Sequence, residues 1–208
     1  DVPVPSRVAL ANNTVLRVNS TRAQAGRVEV EGDEISLDSG TRIEAMGATL
    51  GGTVLIGGDW QGSGTLRQAT TVSMSADSTI DASATDNGDG GKVVLWSDVH
   101  NANSVTTVNG SIYAKGGVYG GDGGRVETSG HLLRVDGVLV STKSAFGLDG
   151  IWLLDPFNLY IKDSTWSGSN YSISTASGTT TYTAQTPDTS APILVTDADT
   201  KIASDCVS

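Results

Sequence analysis

Cysteine is almost missing from this chain, and that excludes an intrachain disulfide framework and a cysteine-based zinc site: Cys206 is the only one in 208 residues. Proline occurs five times and aromatics make up 5%. Charged residues reach only 17%, below the roughly 25% of an average globular chain. Basic residues number 13 against 23 acidic ones, for a formal charge of -10. Nucleic acid and anionic membrane surfaces both require clustered Lys and Arg, so both are excluded as partners. No apolar run approaches the ~18 residues of a membrane span, and no signal-peptide pattern opens the chain. The start at Asp1 without Met predicts a processed or excised segment.

What fills the space is glycine, 26 of them, with many Ser, Thr, Asn and Val. Thr and Val favour strands, while Gly, Asn and Asp punctuate turns, so the chain reads as nearly all β. A strand signature recurs behind a small residue at Gly26–Val30, Gly52–Ile56, Gly91–Leu95, Gly124–Thr128 and Gly150–Leu154. Two further short strands fit inside each unit. Ile35–Leu37, Val72–Met74, Thr106–Val108 and Leu133–Val135 are followed by Ile43–Ala45, Ile80–Ala82, Ile112–Ala114 and Leu139–Ser141. Alternation sends Val, Ile, Leu and Ala to one side and Arg, Glu, Ser, Thr and Asp to the other. One unit cannot bury its apolar side alone, but stacked units give every strand a parallel partner and close a continuous core. An antiparallel sandwich is the rival; the unit recurring in a fixed order favours the stack. Gly90, Gly91, Gly123 and Gly124 read as corner turns, where glycine would supply positive φ. The predicted organisation is β-helix coils over residues 1–161, with units from about 26, 52, 91, 124 and 150.

The phrases Gly120–Gly130, Leu133–Gly137, Gly90–Ser97 and Gly110–Gly116, with Gly150–Ile161 and its Trp152-Leu153-Leu154-Asp155-Pro156, resemble filamentous-haemagglutinin-like bacterial exoproteins of the two-partner-secretion type. The resemblance covers roughly residues 26–161. It implies a right-handed parallel β-helix (β-solenoid), export to the cell surface or medium, and roles in adhesion or biofilm, and it carries over no catalytic residue. The Asn-Pro-Asn-Gly type motif usual in the family's amino-terminal secretion domain is absent, which predicts a segment downstream of that domain or another export route.

From Lys162 the composition turns to Ser, Thr, Gly and Tyr. Residues 162–208 read as a polar extension leading into a further coil. Strands with polar loops or an inserted hairpin are expected over 163–186, and a strand over Ile193–Thr196. A short helix capped by Asp197 is expected over Ala198–Ala203, and a truncated strand at Cys206–Ser208. Cys206 is either an inert buried thiol or a handle for an intermolecular bond.

No constellation of residues commands a reaction. Asp89 and Asp122, in the Gly-Asp-Gly-Gly corners, offer the hard oxygen ligands of calcium but lack the short fixed repeat of nonapeptide calcium sites; corner turns explain them. Glu29, Glu31 and Glu127 could serve a polysaccharide-cleaving enzyme, although they read as a solvated strand face. His100 and His131 have no triad or metal spacing around them and read as surface residues. Trp96 and Trp152 sit in repeated strands and are expected in packing, Trp166 falls in the polar tail, and Trp60 is the candidate for an exposed ring contacting a ligand. The glycine loop around Trp60 lacks the Gly-Lys-Ser/Thr ending of a phosphate cradle. The expected function is therefore non-catalytic and without cofactor or metal: a stiff stalk whose partners are further coils, neighbouring copies, or host or matrix glycans. A filament subunit joined end to end by strand pairing is the first alternative, and a β-helical polysaccharide enzyme the second.

Overall fold

A computed structural model describes residues 4–156 and the backbone of four later strands. Fifteen strands form five coils of three. They run β1 (Arg7–Leu10), β2 (Val15–Arg17), β3 (Arg27–Val30); β4 (Glu34–Leu37), β5 (Arg42–Glu44), β6 (Thr53–Ile56); β7 (Thr71–Met74), β8 (Thr79–Asp81), β9 (Lys92–Trp96); β10 (Val105–Val108), β11 (Ser111–Tyr113), β12 (Arg125–Gly130); and β13 (Leu132–Arg134), β14 (Leu139–Ser141), β15 (Ile151–Pro156). Each strand pairs in parallel with its counterpart one coil away. The three resulting sheets order as β1-β4-β7-β10-β13, β2-β5-β8-β11-β14 and β3-β6-β9-β12-β15. This is the expected parallel coil stack, a β-solenoid. It begins two strands earlier than the glycine signature shows, because β1 and β2 precede Gly26.

Register places like residues above one another. Ile43, Ile80 and Ile112 pair in sequence and each is 0% exposed. Such columns let each β-branched side chain pack on the next, at roughly 1.5–3 kcal/mol per buried residue. In the last coil the column is continued by Val140, not Leu139, which pairs with Ser111. The sequence register was thus one residue off there, since Leu139 and Val140 are both apolar and period-two alternation cannot choose between them. On the outside, Arg7 meets Glu34 at 2.8 Å and Arg17 meets Glu44 at 2.6 Å, tying the first coil to the second.

The corner between the second and third sheets is a glycine seam. Gly52, Gly91, Gly124 and Gly150 donate their N–H to the carbonyls of Ala45, Ala82, Ala114 and Thr142 within their own coils, at 2.7–2.8 Å. The carbonyls of Gly52, Gly91 and Gly124 accept from the coil that follows, as in Lys92 N–H to Gly52 O at 2.9 Å. None of Gly90, Gly91, Gly123 and Gly124 has positive φ. They are corner residues, as expected, but for a different reason. A Cβ on Gly91 would overlap the Gly52 carbonyl oxygen, and one on Gly123 would overlap that of Thr142. Close approach of successive coils, not turn conformation, demands glycine here.

Beyond the coils, β16 (Tyr171–Ile173) and β17 (Tyr182–Ala184) pair antiparallel, the hairpin expected in the polar segment. β18 (Ile193–Val195) falls where a strand was expected and pairs antiparallel with β15. β19 (Asp199–Lys201) pairs antiparallel with β14. The helix expected across Ala198–Ala203 is therefore corrected to strand at 199–201: the free edge of β14 offers backbone hydrogen bonds that a two-turn helix of modest propensity cannot match. Trp166 and Cys206–Ser208 lie outside the described residues.

Candidate functional site

In the first two sheets the burial pattern largely alternates, as in β4 and β8. In the third sheet it does not: β6, β9 and β12 are buried at nearly every position after the first. Both faces of this sheet are covered across β6, β9 and β12, whereas β3 alternates and turns its outer face to solvent. The second layer comes from residues 57–68, an insertion that lengthens the coil between Glu34 and Thr71 to 37 residues, against 27 between Arg7 and Glu34. This strap lies on the outer face, where Leu55, Val94 and Trp96 form a small second core with Trp60, Leu66 and Val99 against it.

The strap is fastened at several points. Asp59 accepts from the Trp60 N–H and receives Lys92 Nζ at 2.6 Å, with Arg27 at 3.8 Å. The Trp60–Gly62 turn carries Gln61 in the left-handed region, φ 52, a strained conformation for a residue with a side chain. That conformation aims the Gln61 N–H at Glu127 Oε2, 2.8 Å away. The Trp96 indole N–H donates to Gln68 Oε1 at 3.1 Å. Arg125 stacks over the Trp60 ring at 5.1 Å, and the Arg67 N–H donates to Glu31 at 3.0 Å.

Glu127 is the unusual group. It occupies the outer position of β12, in register with Val94 and Leu153, and is 0% exposed. Besides Gln61, Ser129 Oγ donates to it at 2.9 Å. Burial, opposed by these two hydrogen bonds and helped by the negative charges of Asp155 and Asp59, pushes its carboxyl up to about 7. Burial also raises Asp155, against the pull of His100. The solvated face expected for Glu127 is thus corrected: the strap covers it. Glu29 does face solvent, beside Arg27. Three strand spacings separate Glu29 from Glu127 in register, roughly 14 Å, beyond the roughly 5–9.5 Å of a glycosidase pair.

The other expected residues fall as follows. Trp152 points into the main core and Trp96 into the strap core, both buried as packing residues. Trp60 is half-buried against that second core instead of standing free on a loop. His100 is exposed, and the His131 ring nitrogen lies 3.0 Å from the Val99 carbonyl. Asp89 and Asp122 accept N–H groups from Asp122 and Leu148 of the next coil, at 2.7 and 2.8 Å. Their carboxylates thus fasten one corner to the next. A signal for the covered face was present in the sequence: Thr53-Val-Leu-Ile and Lys92-Val-Val-Leu-Trp are continuous apolar runs, the mark of a strand buried on both faces.

A parallel three-sheet solenoid with one armoured face is a scaffold class, and comparison with known proteins refines it. No family description matches the chain, and no curated protein does. Among solved structures, the HMW1 secretion domain from Haemophilus influenzae superposes with a TM-score of 0.54 and 34% identity, covering 68% of this chain. The chain spans 35% of the length of that domain. The missing Asn-Pro-Asn-Gly motif predicts a place downstream of such a domain; the likeness falls on a secretion domain itself.

Proposed function

We propose that this chain is a non-catalytic coil segment of a secreted bacterial exoprotein of the filamentous-haemagglutinin-like, two-partner-secretion type, serving export and surface adhesion as a stiff element. One observation carries this: a five-coil parallel stack that is also 34% identical to a bacterial secretion domain. Parallel stacking makes a rod that lengthens by adding coils, with polar ladders repeated along its faces. Further coils of the same protein and host or matrix glycans are its proposed partners, and the cell surface or medium its location. Two features weigh against the alternatives. The carboxylate best placed for an enzyme is sealed under the strap, and end-to-end pairing must compete with β18 and β19, which already occupy the edges of β15 and β14.

The test is deletion of the coils, residues 7–156, from the gene in the source bacterium. Fractionation should show the product lost from the medium and the surface, with adherence to host cells reduced. Unchanged export and adherence would overturn the proposal.

A further inference from the structure

Glu127 has no place in a rigid stalk. The outer position of a solenoid strand costs least when filled by a small polar or apolar group, as Val94 and Leu153 fill it on the neighbouring strands. A carboxyl there, fully covered, binds the strap through the Gln61 backbone and nothing else on the strap. The groups that act on it are the Gln61 N–H and Asp59 of the strap, Ser129 on β12 itself and Asp155 on β15, while His100 acts on Asp155. The nearby cations are already engaged: Lys92 with Asp59, and Arg125 over Trp60. The charges that act on Glu127 itself, Asp59 and Asp155, are both negative.

We propose that the 57–68 strap is a proton-controlled latch: it closes over Leu55, Val94 and Trp96 when Glu127 is neutral, and loosens when Glu127 ionises. Closing removes Glu127 from water, whereas with the strap lifted the carboxyl is solvated and ionises as an ordinary glutamate. A proton is therefore bound more tightly in the closed form, and by linkage alkalinisation must favour the open one. Opening uncovers an apolar strip along the third sheet, so the latch would offer a surface above neutral pH that is hidden below it.

Amide hydrogen exchange on the full chain tests this, with intrinsic pH dependence divided out. Protection at Gln61, Gly62 and Ser63 should fall about thirtyfold between about pH 5.5 and 8.5, while protection at Val93 and Ile112 stays constant. Glu127→Gln, which keeps an acceptor for the Gln61 N–H without a charge, should hold the strap protected at both pH values. Direct titration of the Glu127 carboxyl by carbon NMR serves if that variant fails to fold, and should give a midpoint near neutrality. Flat strap protection in the wild type, an equal loss in Glu127→Gln, or a carboxyl titrating like a solvated glutamate would each overturn the latch.

Discussion

Alanine at position 91 tests the physical account of the glycine seam. A Cβ there would overlap the Gly52 carbonyl oxygen and stand 2.8 Å from both the Ala82 oxygen and the Gly51 carbonyl carbon. All three are backbone atoms held in ladders, so no side chain can swing aside. To admit the methyl, the second and third coils must part locally. That strains the hydrogen bonds from Gly91 to Ala82 and from Lys92 to Gly52, at 2.8 and 2.9 Å. Two weakened bonds at about 1 kcal/mol each, with about 1–3 kcal/mol of overpacking, predict a loss of roughly 3–5 kcal/mol. Gly137→Ala is the control. Its φ is +68 and nothing lies within 4 Å of the new methyl, so only the left-handed penalty of roughly 1–2 kcal/mol applies. Urea unfolding followed by fluorescence of the buried Trp96 and Trp152 measures both. If Gly91→Ala costs no more than Gly137→Ala, coil-to-coil approach is not what requires glycine at the corner.

Other outcomes are equally definite. Ile80→Ala removes the middle of a fully buried column and should cost about 3–4 kcal/mol by chemical denaturation. Thr106→Val removes a buried hydroxyl bonded to Ser97 Oγ and the Ser129 carbonyl, at 2.8 and 2.7 Å, and should cost about 1–2 kcal/mol in the same assay. Folding raises the Glu127 carboxyl from 4.5 to about 7. Between those values the folded chain keeps a proton that the unfolded chain releases, so stability must fall as pH rises through that window, by up to about 3 kcal/mol. Urea midpoints across the window should show this decline, and Glu127→Gln should remove most of it.

The coil stack was legible because its signal is redundant. Ile43, Ile80 and Ile112 recur at equivalent places, each behind a polar residue and ahead of an alanine, and an error in any one leaves the pattern standing. Register at Leu139–Ser141 failed where that redundancy ran out, with two apolar residues side by side. The corner glycines were found for the wrong reason, since composition shows that glycine is there but not whether φ or a neighbouring backbone requires it. Only the structure brings Gly52 O against Gly91. The strap was the least legible element. Its covering role depends on where a twelve-residue loop folds back, and Gln61 reaches Glu127 across 66 positions of sequence. Glu127 was noticed as a carboxylate on a strand and assigned to water, because alternation describes a sheet with one wet face.

The last coil and the side of this stack pose one physical problem, that of unfinished sheets, and the chain answers it differently at each place. At the carboxyl-terminal end, β18 and β19 lie antiparallel on β15 and β14, a direction that satisfies the exposed edge without reproducing the template for another parallel coil. The strap solves the lateral version of the problem. It covers a sheet face whose apolar runs would otherwise leave a continuous sticky strip along the rod, and the proposed latch would loosen that cover on loss of a single proton.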